Sequence, residues 1–211
     1  MTTAHSRPFH AVAGALAALV VALAPAAARA DLPTVASPEG LATRYGEYFL
    51  LGGGVTDFTD GEAKDLFDPG VAWEARLGFG SRSYLGAEVA YVGASREGVG
   101  SVPALVMNGG ELVLRLQYPH VTGKWLVEPF VFGGIGWSHL TLNDAPAGYD
   151  DSDDDIGVVP VGGGLMLGHG RLILDTRFTY RNTWGEGAAS GGRTAPSLDS
   201  WAVTASLGYE F

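Results

Sequence analysis

The densest group of side chains able to do chemistry is acidic. The stretch Asn143 to Asp155 (NDAPAGYDDSDDD) carries Asp150, Asp151, Asp153, Asp154 and Asp155. Asp151-x-Asp153-x-Asp155 has the alternate oxygen ligands that open an EF-hand calcium loop. That loop also needs glycine at its sixth position and glutamate at its twelfth, and the sequence supplies Ile156 and Gly162. No metal centre is therefore expected. A solvated acidic loop is the plain reading, with Asp151, Asp153 and Asp155 weak candidates for Ca²⁺ or Mg²⁺. Ser138-His139 could form a nucleophile and base if an acid oriented the imidazole. Adjacent residues on a strand point to opposite faces, however, which keeps this pair apart. Gly52 to Val55 (GGGV) and Gly162 to Leu165 (GGGL) lack the lysine and following helix of a phosphate loop. Glycine there is read as relief of crowding. His120 and His169 fall in turns. The chain has no cysteine, which excludes disulfides, thiol catalysis and cysteine-based metal sites. No cofactor and no enzymatic activity are expected.

A larger set of charges recurs at spacing two on a single strand parity: Glu74, Arg76, Glu88, Glu111, Arg115, Glu128, Asp175, Arg177, Arg181 and Glu210. What it can do depends on the elements that carry it. The final residues, SWAVTASLGYEF, set Trp201, Val203, Ala205, Leu207, Tyr209 and Phe211 against Ser200, Ala202, Thr204, Ser206, Gly208 and Glu210. This is the period of two of a strand with unlike faces. Twelve residues exceed a common soluble strand and suit a tilted strand crossing a bilayer, which needs about 9–11. Seven further strands are read: Tyr48 to Val55, Gly70 to Gly80, Tyr84 to Gly93, Glu111 to Tyr118, Trp125 to Trp137, Val158 to Leu167 and Leu172 to Arg181. Upstream of Glu111 the alternation loses phase, and Gly109-Gly110 suggests a bulge. No segment beyond the N-terminus shows helical periodicity. The fold class expected is all-β.

Connections alternate in length, short near Ser81, His120 to Lys124 and Gly168 to Arg171, longer elsewhere. Eight antiparallel strands with both ends on one side would produce this pattern. Aromatics decide which face is outside. Phe79, Tyr118, Trp125, Tyr209 and Phe211 fall at the short-turn ends; Trp73, Tyr91, Trp137, Tyr180 and Trp201 fall at the long-loop ends. All ten share the apolar parity, as the two interfacial girdles of a membrane barrel require. The charged parity then faces a lumen that eight strands leave only wide enough for side chains. Buried charges must pair. An interlocking acid–arginine network is expected, with Phe130, Phe132 and Met166 filling the remainder.

Several segments resemble the OmpA-like family of eight-stranded outer-membrane barrels: the C-terminal strand ending on Phe211, the opening Tyr48 to Gly54, Glu128 to Gly136 (EPFVFGGIG) and Leu174 to Tyr180 (LDTRFTY). The likeness runs from Tyr48 to Phe211. It implies an eight-stranded antiparallel up-and-down transmembrane β-barrel at residues 47–211, in the outer membrane of a Gram-negative bacterium. It also implies Tyr209 and Phe211 as an assembly signal read by the barrel-assembly machinery. The family's peptidoglycan-binding domain has no counterpart here, so cell-wall tethering is not expected.

The N-terminus carries Arg7, the apolar run Ala11 to Ala24, and Ala28-Arg29-Ala30. This is the pattern of a secretory signal, residues 1–30, followed by a flexible periplasmic lead-in over 31–46. Net charge is −10, and the signal segment holds two arginines and no acid, which argues against nucleic acid as a partner. The function expected is structural or surface-interacting, through envelope integrity and loop-mediated binding, and not that of a large porin. A small passive channel and a lipid A-modifying enzyme are the alternatives. Outer-membrane lipid and lipopolysaccharide are the expected surroundings of a monomer.

Overall fold

The computed structural model describes residues 46–143, 153–184 and 197–211. Residues 1–45, which hold the expected signal and most of the lead-in, lie outside the described residues, as does Asp151. The described residues form β1 (Gly46–Phe58), α1 (Gly61–Leu66), β2 (Gly70–Ser81), β3 (Leu85–Arg96), β4 (Ala104–Gln117), β5 (His120–Thr122), β6 (Trp125–Asn143), β7 (Asp153–His169), β8 (Leu172–Trp184) and β9 (Ser200–Glu210). The hydrogen-bonded order is β4-β3-β2-β1-β9-β8-β7-β6-β5, and a further β4–β6 ladder closes the ring. β5 is the continuation of β4 beyond Pro119 and pairs only with the start of β6. The barrel therefore has eight staves, all antiparallel. Closure leaves no open edge, which a sheet in hydrocarbon requires.

Alternation dictates the wall. Leu51, Leu77, Leu114, Val131, Phe178 and Leu207 face outward and are exposed, while Leu50, Glu88, Val113, Met166 and Arg177 face inward and are buried. The ten girdle aromatics lie on the outward parity. At the short-turn end the Tyr84 and Tyr118 rings lie tilted with centroids 6.1 Å apart, and Tyr209 meets Phe211 edge-on at 5.8 Å. Gly123 and Gly170 take positive φ in the two tightest turns, where a Cβ would be strained.

Four expectations are corrected. The register of β4 runs unbroken past Gly109 and Gly110 against both β3 and β6, so no bulge exists there. The lost phase has another cause. Leu105 and Met107 keep the inward parity but are apolar, because the outer end of the lumen is an apolar cluster. That cluster is sealed by α1, the helix that periodicity did not reveal. Asp60 caps α1 by accepting the Glu62 and Ala63 amides at 2.9 and 3.2 Å. The helix buries Ala63, and Phe67 just beyond it packs on Phe58 with ring centroids 5.9 Å apart. Six residues offer too few positions for a hydrophobic period to register. Finally, β6 and β7 continue to Asn143 and from Asp153, so Asp153 to Asp155 belong to a strand rather than to a loop. Gly46, assigned to the lead-in, begins β1.

Candidate functional site

Inward side chains of β1, β2, β4 and β8 converge on Glu88 of β3, which is fully buried. Its carboxylate meets three guanidinium groups: Arg115 at 2.6 Å, Arg177 at 2.8 Å and Arg76 at 3.4 Å. The Tyr48 hydroxyl donates to it at 2.6 Å. Each arginine reaches a further acid. Arg76 pairs with Glu74 at 2.9 Å, Arg177 with Asp175 at 2.7 Å, and Arg115 with Glu128 at 3.4 Å. Glu111 receives Arg181 at 2.7 Å and approaches Arg76 at 3.8 Å. Nine of the ten charges read from the sequence thus form one connected set. Charge-assisted bonds of this kind repay desolvation only when nearly every lone pair is occupied. Here, among the described residues, Arg76 Nε, Arg115 Nε and Glu111 Oε2 are the atoms of the set left without a hydrogen-bond partner.

The tenth, Glu210, is held apart, at the short-turn end. Arg82 grips it with Nε and Nη2 at 2.8 and 2.6 Å, and the Ser81 hydroxyl donates at 2.5 Å. The Arg82 amide donates to Glu128 at 3.0 Å, joining this latch to the central set. The Glu210 hydrogen bonds hold the Arg82 guanidinium above its ordinary value, against the opposing effect of burial. Arg82 has φ 66°, a left-handed conformation costly for a residue with a Cβ. Its position in a turn hid it from the parity argument.

Aromatic rings fill the space between the charges. The Arg115 guanidinium lies 3.8 Å from the centroid of Phe130, and Arg177 lies 5.1 and 5.4 Å from Phe130 and Phe132. Met166, Leu50 and Val113 complete this layer. The glycines serve the rings. A Cβ on Gly164 would stand 2.6 Å from the Phe130 ring, and one on Gly78 would stand 2.0 Å from that of Tyr48. No phosphate-binding geometry is involved.

The remaining candidates are scattered. Ser138 is buried inward, whereas His139 points outward and contacts Asp155 at 3.0 Å, so the two form no dyad. Asp153 and Asp155 stand on β7, and among the described residues no cluster able to hold a metal is present. Tyr209 accepts from Arg171 at 3.0 Å, and the Phe211 amide donates to Glu47 at 2.9 Å, fixing the last residue to the first strand. Asp199 ties the outer end of β8. Burial pushes its carboxyl up, but the Thr183 amide and hydroxyl and the Tyr180 and Asn182 side chains outweigh this and hold it below the usual range.

Arg96 was also missed. It is 1% exposed, and no carboxylate oxygen lies within salt-bridge distance of it among the described residues. Counting by twos from Glu88 along β3 reaches it, three residues beyond the strand end expected at Gly93.

A closed eight-stranded antiparallel wall, apolar outside and filled by ion pairs inside, is the architecture of small outer-membrane barrels. In structure the chain is similar to the N-terminal β-barrel domain of Pseudomonas aeruginosa OprF, with 11% identity, a TM-score of 0.51, and 80% of this chain and 98% of that chain covered. It is also similar to Neisserial surface protein A, with 10% identity, a TM-score of 0.54, and 78% and 97% covered. No protein-family model matches the chain, and no curated protein matches it in sequence. The likeness is one of fold.

Proposed function

We propose that this chain is a non-enzymatic protein of the Gram-negative outer membrane, a closed scaffold that strengthens the envelope and presents its long connections outside the cell. The observation that carries this reading is the Glu88 set. Three buried guanidinium groups on one carboxylate fill the middle of the lumen, and α1 and the Arg82–Glu210 latch close its two ends. A barrel filled in this way is a wall, not a conduit. Binding then falls to the outer rim, where α1 and the β3–β4 connection are tied by Asp68 N–H to Glu97 C=O and Val99 N–H to Leu66 C=O, both 2.9 Å. The lipid-facing girdles suit a monomer in contact with lipopolysaccharide, and Tyr209 with Phe211 would serve the assembly machinery.

Two measurements on the intact system test this. Planar-bilayer recordings on refolded protein should be silent; frequent, ion-selective openings would favour the small passive channel. On whole cells a membrane-impermeant thiol dye should label Glu62→Cys, on α1, and leave Lys124→Cys, in a short turn, unlabelled until the outer membrane is opened. Equal labelling of both would overturn the location and the topology.

A further inference from the structure

A cavity of about 40 Å³ lies in the outer half of the lumen, between the Glu88 set and the apolar cluster beneath α1, and Arg96, Arg181, Glu74, Glu111 and Thr204 help to line it. Three of its lining residues each carry a buried polar atom without a hydrogen-bond partner: Arg96 Nε, Thr204 Oγ1 and Glu111 Oε2.

The charges around it are unequal in how far they are satisfied. Both oxygens of Glu74 are occupied, by Ser206 at 2.6 Å and Arg76 at 2.9 Å. Arg181 is spent on Glu111 at 2.7 Å. Arg96 has only weak or neutral partners: Thr56 Oγ1 at 2.7 Å, the Met107 sulfur at 3.2 Å and the face of Phe58 at 4.0 Å. Asp57, the nearest acid in sequence to these partners, stands on the opposite parity of β1 and pairs with Lys64 at 3.7 Å; its charge acts on Arg96 only from beyond salt-bridge distance. Glu128 and Glu210, which are held by Arg115 and Arg82, sit at the other end of the lumen. The length of β3 separates them from Arg96, roughly 35 Å at about 3.3 Å per residue.

A guanidinium does not shed its proton in a protein, and a buried charge without a counter-charge is disfavoured. Water would satisfy Nε but leave the charge. We infer that the outer cavity is a binding site for one small monovalent anion of halide size, held by the Arg96 guanidinium with the Thr204 hydroxyl as a second donor. The cavity's size sets the class. One water needs about 10–15 Å³ of such space, so there is room for a single small ion and a water or two. A doubly charged anion would face Glu74 and Glu111 with only one cation, Arg96, that has no carboxylate in contact to hold it. The ion would complete the charge pairing of the outer lumen at Arg96, the buried arginine that the ion pairs of the Glu88 set do not include.

The test uses the refolded protein. Crystals grown in sodium bromide should show an anomalous peak within about 3.5 Å of the Arg96 guanidinium, a charge-assisted contact distance for a large anion. In solution, the urea midpoint should be higher in sodium bromide or chloride than in sodium gluconate at equal ionic strength, gluconate being too large to enter. Arg96→Met should abolish that difference, and Arg96→Lys should retain part of it. Water alone at Arg96, bromide only on the exterior, equal midpoints in halide and gluconate, or a halide effect that survives in Arg96→Met would each overturn the site. If Arg96→Met does not fold, the bromide map and the halide comparison on the unmodified protein still decide.

Discussion

Glu88→Gln is the sharpest perturbation of the lumen, because it removes one charge while keeping the shape. The three guanidinium groups around Glu88 do not suffer equally. Arg76 keeps Glu74 at 2.9 Å and Arg177 keeps Asp175 at 2.7 Å. Arg115 loses its 2.6 Å partner and keeps the Tyr48 hydroxyl, with Glu128 at 3.4 Å and Asp175 at 3.9 Å as its remaining acids. The amide must also turn a donor toward at least one cation. The loss is therefore that of one broken buried pair, about 3–5 kcal/mol, and not three times that figure. With a urea slope of about 2 kcal/mol/M, the unfolding midpoint should fall by roughly 2 M. Tryptophan fluorescence of protein refolded into lipid vesicles, followed to equilibrium in both directions, reads this shift. Glu62→Gln, on the exposed face of α1, is the control and should stay within about 0.5 kcal/mol. A loss below about 1 kcal/mol in Glu88→Gln would refute the argument that these ion pairs hold the lumen together.

Two further outcomes are expected. Arg82→Gly and Arg82→Ala both remove the Glu210 latch, but only glycine relaxes the φ of 66°, so the alanine variant should be less stable by about 1 kcal/mol. Equal urea midpoints would dismiss strain at that turn. Asp199 has a folded pKa below the ordinary 3.8, so its stabilisation is complete above the ordinary value and lost as pH falls through the lowered one. Amide-exchange protection at Thr183 should persist down to about pH 4, decline below it, and lose this pH dependence in Asp199→Asn.

Much of the barrel was legible in its alternation because lipid and lumen impose opposite demands on neighbouring residues. Where a strand such as β8 crosses the bilayer, Leu174, Thr176 and Phe178 oppose Asp175 and Arg177 without a break. The pattern fades beyond the girdles. There the outward face meets water and the inward face meets α1, so Leu105 and Met107 read as a loss of phase although their orientation is unchanged. Arg82 and Arg96 were overlooked for a related reason. One acts from a turn, where parity has no meaning, and the other from a strand end beyond the boundary expected at Gly93. Tyr48 read as an apolar opening residue, yet its hydroxyl is a ligand of Glu88. Only the three-dimensional convergence of β1 with β3 shows that.

The ladder between β1 and β9 joins Tyr48 to Glu210 and Phe58 to Ser200 through eleven paired positions. These partners are the most distant in the chain, so a nearly finished barrel would still bear two open rows of amides and carbonyls facing hydrocarbon. No partly closed state is sheltered, and formation of the seam is the step at which the whole wall becomes permissible in lipid. The same seam works in reverse. To come apart, the ring must first open a long line of bonds at once, with the Arg82–Glu210 contact at its end. The lifetime of the folded protein is then governed by an unfolding barrier rather than by the depth of its free-energy minimum.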